Sequence, residues 1–584
     1  MATSIVTADS MLAIDVGAVN TRALLFDVVE RKYRFLAMGT APSTAGAPYR
    51  HISEGIHLAI LQLQEITGRT LLGEDQRVII PSQADGSGVD ACVATISAGD
   101  PLKVVAVGLL EDISTQSAQN LASATYAQVV DVLSLNDRRK QAARIDSILR
   151  LRPDVIVVAG GTEKGASHSV MNLLESVGLA CYLFPEADRP EVLYAGNQSL
   201  TEEVKSSLQS FSFLHLAPNL RPTFEVEQLG PAQAELAQIY RIARSKKIPG
   251  VQELDSWAAG NLMPTASAFG RMIRCHSRFT PNPGKSALGV DVGASATTIA
   301  AAFSGELTLG VYPQFGLGEN ISGLLSHTSL DEIARWLTVE VSGDYIRNYL
   351  HNKSIYPATI PATTEELALE QALARVVLRL ALRKVSNNFP HKPGAAASNF
   401  LPSFDPILAS GSVITCAPTR GQSLLMLLDA LQPTGYTSIW LDQYNLLPAL
   451  GAAATVNPLL TVQEASDVIP LGVVVSPVGE ASYGTPVLRV RVTHETGDTA
   501  TKEVKFGALE VIPLPVGKSA SLSLQPLHRF DAGWGQGHGG SVKNVPGGPF
   551  GIVIDARGRP LRLNNDPVKR RELLKKWLAT VGGS

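Results

Sequence analysis

Two stretches far apart in the chain repeat one pattern of apolar and polar residues. The first, AIDVGAVNTRALLFD, runs from Ala13 to Asp27, and the second, GVDVGASATTIAAAF, runs from Gly289 to Phe303. Each begins as an apolar strand, turns through Asp-x-Gly and a short polar loop that contains Thr, and continues as a second apolar strand. We therefore expect two β-hairpins of the same kind, each at the head of a strand-rich half-domain.

The first half of the chain divides into two regions. Residues 10–75 are strand-rich and end in a helix around Gly55–Gly68. Residues 76–270 alternate short apolar runs with helical periodicity. Strands are expected at Val104–Leu109, Val129–Leu133 and Pro153–Gly161, and helices at Ser114–Ala127, with Ser114 as N-cap, and Arg138–Leu149. This β-α rhythm predicts a parallel sheet covered by helices on both faces.

The second half also divides into two regions. Residues 280–460 open with the second turn and contain a long helix, for which Thr363 and Glu366 have capping-box spacing. In residues 465–584, apolar and polar residues alternate at every second position, as in β-strands. We expect a β-hairpin in PVLRVRVTHETGDTATKEVKFG, a strand pair at Gly551–Leu563 and a closing helix capped by Asp566. This last region reads as a small β-rich C-terminal domain.

Composition narrows the class of protein. The chain has 584 residues and 62.0 kDa, which suggests about three or four domains. A net charge of −3 does not favour nucleic-acid binding, and no apolar run approaches the roughly 18 residues of a membrane span. The N-terminus lacks the basic region of a signal peptide, and the four cysteines are scattered without zinc-site spacing. A cytoplasmic protein with reduced thiols is the simplest expectation.

The repeated turn has a chemistry of its own. An Asp-x-Gly hairpin brings several backbone N–H groups and a hydroxyl to one small volume, and glycine allows an anion to approach the backbone closely. The aspartate at the strand end can hold Mg²⁺ directly or through water. One such turn is a weak signal, but two facing turns can clamp a polyphosphate around one metal ion.

With these motifs the chain resembles the actin, Hsp70 and sugar-kinase superfamily of ATPases, whose duplicated RNase H-like halves carry two phosphate loops. ILASGSVI, Ile407–Ile414, stands where that superfamily has its glycine-rich adenosine motif, and LLPALGAAA follows in the right order. The resemblance implies that Asp15 and Asp291 organise Mg²⁺ as the catalytic and metal-binding acids. It further implies phosphate contacts from Gly17, Asn20, Thr21, Gly293, Ser295 and Thr297, and adenosine contacts from Gly411 and Ser412.

A closer resemblance covers about residues 10–460. The runs RPDVIVVAGGTEKGASHSVMNLLES, EVLYAGN, LAPNLRP, MPTASAF and LDQYNLLPALGAAATVNP resemble, in order, the MutL family of accessory proteins of adenosylcobalamin-dependent glutamate mutase. The resemblance implies duplicated RNase H-like halves with an inserted α/β region, bound ATP and Mg²⁺, and a mutase as protein partner. It implies a chaperone-like reactivating role with weak ATPase activity at most, since Gly293-Ala294-Ser295 lacks the family's Gly-Gly pair and SAFGRMIRCHSR lacks the superfamily's helix acid.

Other signals leave alternatives open. The loop of Gly160, Gly161, Thr162 and Gly165 lies between a strand and a helix and is a candidate anion-binding loop. No Asp-x-His-x-x-Gly occurs, so a histidine ligand for cobalt is not supported. A non-hydrolysing actin-like scaffold and a small-molecule kinase or ATP-dependent amidohydrolase are the rival functions. The sequence does not set the oligomeric state.

Overall fold

A computed structural model describes residues 9–163, 165, 167–279, 286–390, 401–464 and 468–583. The chain forms two compact units. Unit 1 comprises Met1–Ala268, Leu309–Pro313 and Ala452–Leu459, and unit 2 comprises Phe269–Thr308, Gln314–Gly451 and Leu460–Ser584.

The strands of the described residues have the following bounds: β1 (Met11–Val16), β2 (Asn20–Val29), β3 (Lys32–Pro42), β4 (Ala91–Ile96), β5 (Leu102–Gly108), β6 (Ala127–Ser134), β7 (Val155–Ala159), β8 (Glu191–Tyr194), β9 (Phe213–Leu216), β10 (Met263–Pro264), β11 (Ser286–Val292), β12 (Thr297–Phe303), β13 (Glu306–Tyr312), β14 (Phe404–Ser410), β15 (Gly435–Leu441), β16 (Ile469–Ser476), β17 (Pro486–His494), β18 (Thr499–Lys505), β19 (Leu509–Ile512), β20 (Ser519–Pro526), β21 (Gly540–Pro546) and β22 (Ile552–Asp555).

The α-helices have the following bounds: α1 (Ser53–Thr67), α2 (Gln116–Ala122), α3 (Gln141–Leu151), α4 (Ser167–Leu183), α5 (Thr201–Leu208), α6 (Gly230–Lys247), α7 (Val251–Trp257), α8 (Thr265–Phe279), α9 (Leu330–Ala334), α10 (Gly343–Ile355), α11 (Thr364–Ser386), α12 (Ser412–Thr415), α13 (Arg420–Leu431), α14 (Leu446–Ala453), α15 (Pro458–Glu464) and α16 (Pro567–Thr580).

The first sheet of unit 1 has the order β10-β4-β1-β2-β3. Strands β1, β2 and β3 are antiparallel, whereas β4 runs parallel to β1 and β10 runs parallel to β4. Helix α1 packs on β2 and β3, and Gly39 is needed there because a Cβ would lie 2.0 Å from the carbonyl oxygen of Ala59. This strand order and helix placement are those of an RNase H-like half.

A second, fully parallel sheet lies between β4 and β10 in the chain. Its order is β6-β5-β7-β8-β9, and its core includes Val105, Val107, Ile156 and Val158. Strands buried on both faces need continuous apolar runs, which is what VVAV and VIVVA supply. The predicted parallel sheet is therefore present as an insertion in the first half.

One helix start in this insertion was predicted wrongly. Ser114 is not an N-cap, because residues Glu111–Thr115 form a π-helical turn and α2 begins only at Gln116. The Ser114 hydroxyl instead donates to the carbonyl oxygen of Leu110 at 3.2 Å and accepts from its N–H at 2.9 Å. The hydroxyl thus closes the turn that leads into the helix rather than capping the helix.

The outer edge of the inserted sheet carries a histidine between two acids. Nε2 of His215 on β9 lies 2.8 Å from Oε2 of Glu191, and Nδ1 of the same ring lies 3.0 Å from Oε1 of Glu235. The hydrogen bond to Glu191 raises the pKa of His215, although burial opposes the shift. The cluster joins β8, β9 and α6.

Unit 2 repeats the topology of the first half on a larger sheet. Within unit 2 its order is β12-β11-β14-β15-β16-β22-β19, with β11 and β12 antiparallel and β11, β14 and β15 parallel. The predicted cap of the long helix is present, since the Thr363 hydroxyl accepts from the N–H of Glu366 at 3.2 Å. The expected fold class, duplicated RNase H-like halves with an inserted α/β region and C-terminal β structure, is confirmed.

The C-terminal region joins this sheet rather than standing wholly apart. Strands β16, β22 and β19 extend it, while β17, β18, β20 and β21 form a separate four-stranded antiparallel sheet. The predicted hairpin is present as β17 and β18, and Asp566 caps α16 as expected. The exact boundaries proposed for the four domains stay a prediction.

A buried cluster of charges ties the C-terminal strands to the helices of unit 2. Asp555 accepts from Arg557 Nε at 2.8 Å and from Arg559 Nη2 at 2.8 Å, and Arg557 Nη1 donates to Asp429 of α13 at 2.8 Å. Arg375 of α11 completes the cluster by donating to Asp429 at 2.8 Å. The strand pair predicted at Gly551–Leu563 is wrong beyond β22, because Arg557 and Arg559 turn back to bind Asp555 instead of pairing as a strand.

Candidate functional site

Turn 1, the loop between β1 and β2, is a tight hairpin. Its last strand pairs are Asp15 with Arg22 and Val16 with Thr21. The N–H of Gly17 donates to the carbonyl oxygen of Asn20 at 2.9 Å, and a Cβ on Gly17 would lie 2.8 Å from that oxygen. Glycine is therefore required for the loop to close this tightly.

Turn 2, between β11 and β12, has the same geometry in unit 2. Asp291 pairs with Thr298 and Val292 with Thr297, and the N–H of Gly293 donates to the carbonyl oxygen of Ala296 at 3.0 Å. Asp15, Gly17 and Thr21 thus have Asp291, Gly293 and Thr297 as counterparts at the same register positions. The repeated sequence folds into a repeated structure.

Both aspartates have a hydroxyl residue beside them on the neighbouring parallel strand. Asp15 is in register with Thr95 of β4, and Asp291 is in register with Ser410 of β14. The carboxyl ends of parallel strands meet at one edge of a sheet, so these polar groups gather at that edge in each unit. The sequence predicted the aspartates but not the hydroxyls that accompany them.

Asp15 is fixed by three side chains. Thr95 Oγ1 donates to its Oδ1 at 2.7 Å and Thr265 Oγ1 does so at 3.0 Å, while Arg22 Nη1 lies 3.2 Å from its Oδ2. The aspartate is only 3% exposed. The carboxylate is therefore held in one orientation, with a guanidinium charge beside it.

The candidate adenosine residues lie directly beside turn 2. Gly411 has φ +95, and a Cβ there would lie 2.2 Å from the carbonyl oxygen of Val292, the residue after Asp291. Ser412 is exposed and begins the short helix α12. Asp442, which follows β15, accepts from the N–H groups of Leu446 and Leu447 and so fixes the start of α14.

The threonines of the two turns differ in their hydrogen bonds. Thr297 Oγ1 donates to the carbonyl oxygen of Phe315 at 2.7 Å, so its proton is already used. Thr21 Oγ1 and Thr298 Oγ1 are buried and have no hydrogen-bond partner in the described part of the chain. A phosphate contact from the Thr297 hydroxyl, as expected from the sequence, would require that bond to break.

The predicted residues fall into three groups. Asp15, Gly17, Asn20 and Thr21 share turn 1, and turn 2 with its neighbours holds Asp291, Gly293, Ser295, Thr297, Gly411 and Ser412. The candidate anion loop, Gly160, Gly161, Thr162 and Gly165, lies on the inserted sheet and not at either turn.

Three residues at turn 1 were missed by the sequence reasoning. Arg22, Thr95 and Thr265 all contact Asp15. Arg22 follows Thr21 directly and was detectable as a charge inside the motif. Thr95 reaches Asp15 through strand pairing and Thr265 from the start of α8, and neither long-range contact leaves a local signal.

The donor set suits Mg²⁺ better than metals that need a protein cage. Within the described ranges there is no group of three or more His, Cys, Asp or Glu side chains that could hold a metal ion. Mg²⁺ commonly takes one or two carboxylates and completes its shell with water and phosphate oxygens. One carboxylate at each turn, of which that of Asp15 is held by three side chains, fits that habit.

Comparison with known sequences identifies the family. Residues 11–467 match the family described as MutL protein. The chain belongs to the MutL family. The Protein MutL of Clostridium tetanomorphum is 25% identical over 221 residues, a match that covers 37% of this chain and 45% of that relative. The match to this curated MutL relative thus spans less than half of the relative's length.

Several solved structures match the chain at low similarity. They include an acetone carboxylase (TM-score 0.29, 11% identity, covering 86% of this chain and 81% of that one). A ROK family glucokinase from Streptomyces griseus matches with a TM-score of 0.27 and 10% identity, and the match covers 76% of this chain and 98% of that one. Xylulose kinase from Bifidobacterium adolescentis matches with a TM-score of 0.26 and 13% identity, and the match covers 80% of this chain and 94% of that one. Similarity this low adds nothing to the assignment, which stands on the strand order and the MutL match.

The helices of this MutL family member also bear on membrane association. Across the residues that the structure describes, no helix combines the length and the apolar character that crossing a bilayer demands.

Proposed function

We propose that this protein binds ATP with Mg²⁺, hydrolyses it slowly at most, and acts as an accessory protein to an adenosylcobalamin-dependent mutase in the cytoplasm. Membership of the MutL family supports the accessory role. The observation that carries the nucleotide part is the matched pair of turns, each with an aspartate, a closing glycine and a hydroxyl residue in register beside the aspartate.

The chemistry of the turns supports phosphate as the ligand. Each turn presents backbone N–H groups around a glycine, which is the usual way that a loop accepts phosphate oxygens, and at Gly17 a Cβ would lie 2.8 Å from the carbonyl oxygen of Asn20. At turn 1 the guanidinium of Arg22 adds a positive charge. Turn 2 has Thr298 at the matching position and therefore lacks this charge.

The aspartates are assigned to the metal ion. Mg²⁺, when bound, would neutralise part of the phosphate charge. Asp15 and Asp291 would supply its carboxylate oxygens, and Thr95 and Thr265 hold the Asp15 carboxylate in place without adding charge. Weak hydrolysis follows from the absence of an acidic side chain on α8, where the superfamily has a glutamate.

Calorimetric titration tests the proposal. Wild-type protein is titrated with ATP and with ADP, each with and without Mg²⁺, and compared with Asp15→Asn, Asp291→Asn and the control Asp146→Asn. Asp146 is an exposed aspartate on α3, so its change alters the net charge equally. We expect micromolar, Mg²⁺-dependent binding that both turn variants weaken at least about tenfold, since an ionic ligand is lost in each.

Two results would contradict the proposal. Binding that is equal in all four proteins would remove the aspartates from the site. No binding to the wild type would remove the nucleotide, and the scaffold function would then be tested by sedimentation. A thermal shift with small-molecule phosphate acceptors, without any effect on a mutase, would instead favour the kinase alternative.

A further inference from the structure

The inserted sheet contains a point at which the order of its strands reverses. The chain runs from β5 to β6 on one side, then crosses back to β7 on the other side of β5 and continues outward to β8 and β9. The connections after β5 and β7 therefore leave the sheet in opposite directions. In parallel sheets, ligands bind in the crevice that this separation opens at the carboxyl ends of the strands.

A cavity of about 400 Å³ lies at this point, entirely within unit 1. Its walls come from the segments that follow β5, β6, β7 and β9 and from the first turn of α4. That volume lies within the range of small-molecule sites. Neither turn 1 nor turn 2 contributes to it.

One wall of the cavity is apolar and unusually exposed. Leu110, Leu135 and Phe224 line it, although 44%, 38% and 60% of these residues are open to solvent. Large apolar side chains that gather exposed around an opening mark a binding surface more often than a defect of packing. The wall therefore suits an apolar or aromatic body.

The other wall offers hydrogen-bond donors. Thr162 and Ser169, which carry hydroxyl groups, line it together with Gly160 and Gly161. Ser169 lies in the first turn of α4, a helix of 17 residues whose leading N–H groups have no acceptor within the helix. This wall favours an acceptor, and a negative charge most of all.

The charged groups around the cavity are already paired. Arg221 donates to Ser117, to the carbonyl oxygen of Phe224 and to Glu227, while Glu163 accepts from Asn219 Nδ2 at 2.8 Å. Asn219 also donates to the carbonyl oxygen of Gly161 at 3.0 Å. The donor wall is thus held in shape, and no unpaired acid of the described lining repels an anion.

We propose that this cavity binds a small organic anion, with an apolar or aromatic body against Leu110, Leu135 and Phe224 and its carboxylate, sulfonate or phosphate group against Thr162 and Ser169. The inference is independent of nucleotide binding at the two turns. It gives the inserted domain a ligand of its own.

The probe for the test is anilinonaphthalene sulfonate, which joins an aromatic body to one anionic group, with uncharged N-phenylnaphthylamine as its counterpart. Fluorescence titrations of the full chain compare wild type with Leu110→Glu and with the control Leu179→Glu. Leu179 lies on α4, is 42% exposed and does not line the cavity, so the two variants match in exposure and charge. Ser169→Asp is the second variant, because an acid in the first turn of a helix is compatible with folding.

We expect saturable binding of the sulfonate that Leu110→Glu and Ser169→Asp each weaken about tenfold or more through repulsion of like charges, and that Leu179→Glu leaves unchanged. Hydrogen exchange should slow at residues 160–163 and 167–170 when the sulfonate is bound. Equal affinities in all variants, or protection elsewhere only, would overturn the site. Equal binding of the uncharged probe would overturn its preference for anions.

Discussion

The buried charge cluster of unit 2 makes the sharpest prediction about stability. Asp555 accepts three charge-assisted hydrogen bonds, two from Arg557 at 2.8 and 2.9 Å and one from Arg559 at 2.8 Å. None of these three side chains is exposed. Asp555→Asn keeps the shape of the side chain but removes its charge and turns one acceptor into a donor that faces a guanidinium group.

The expected loss follows from what is left behind. The cluster holds two carboxylates, Asp429 and Asp555, against the guanidinium groups of Arg375, Arg557 and Arg559. Without Asp555 only one carboxylate faces three buried positive charges. Breaking a buried ion pair in this way costs about 3–5 kcal/mol. An exposed pair such as Arg489 with Glu503 contributes less than about 1 kcal/mol.

The assay is urea unfolding of the full chain, followed by tryptophan fluorescence. Trp577 is a local reporter because the guanidinium of Arg557 lies over its ring at 4.8 Å. Asp555→Asn is compared with the control Glu503→Gln, and hydrogen exchange in β16 and β22 confirms where stability is lost. A loss below about 1 kcal/mol in Asp555→Asn would refute the reasoning, since it would mean that the buried charges are solvated or repaired by rearrangement.

The same cluster determines how the stability of unit 2 changes as the pH falls. Burial alone would raise the pKa of Asp555, but the guanidinium groups of Arg557 and Arg559 outweigh it and hold that pKa well below its ordinary value. The contribution to stability is therefore complete above about pH 4 and is lost as the pH falls below it. In Asp555→Asn the stability of unit 2 should depend less on pH in this range.

Three further predictions concern other parts of the molecule. Gly411→Ala should lower the free energy of unfolding by about 2–4 kcal/mol and weaken nucleotide binding, because the φ of Gly411 is +95 and a Cβ there would lie 2.2 Å from a backbone oxygen. The control Gly323→Ala, whose Cβ would have no atom within 4 Å, should change neither quantity in the same melting and titration experiments. Cys416 is exposed and should react quickly with Ellman's reagent. Cys92 is buried, and burial raises its pKa to about 12, so it should react only after unfolding. Fast reaction of both cysteines would contradict the packing of β4. The hydrogen bond to Glu191 raises the pKa of His215, and burial opposes that shift, so the contribution of His215 to stability is complete below about pH 6.5 and is lost as the pH rises through the pKa of the folded state. Once the change in the chemical exchange rate is allowed for, hydrogen exchange in β9 should therefore be faster at pH 8.5 than at pH 6. The His215→Gln variant should show no such difference.

Local patterns predicted the repeated features of the fold well. The two Asp-x-Gly turns were found because each is a short, continuous motif, and the structure gives them the same strand register. The inserted parallel sheet followed from apolar runs such as VIVVA. The roles of the individual site residues, in contrast, stay predictions until nucleotide binding is measured.

What the sequence could not supply depends on contacts between distant residues. Thr95 and Thr265 reach Asp15 across 80 and 250 positions, Thr95 by strand pairing and Thr265 as the first residue of α8, directly after the paired strand β10. Ser114 has the residue type of a helix cap, but the π-helical turn before α2 uses its hydroxyl differently. Arg557 and Arg559 alternate like strand residues, yet the pull of Asp555 turns them inward. In each case a long-range or charge interaction overrides the local pattern.

The placement of β22 has a consequence for how the chain is made. Strand β16 is covered on one side by β15, which precedes it, and on the other by β22, which follows roughly 75 residues later. At about 5–20 residues per second, a ribosome needs roughly 4–15 s to deliver that strand. During this interval the apolar edge of β16, VVVS, is open to pairing with another chain. Nascent chains and truncations that end before Gly551 should therefore need protection by chaperones, and only a chain translated past Arg559 can close unit 2.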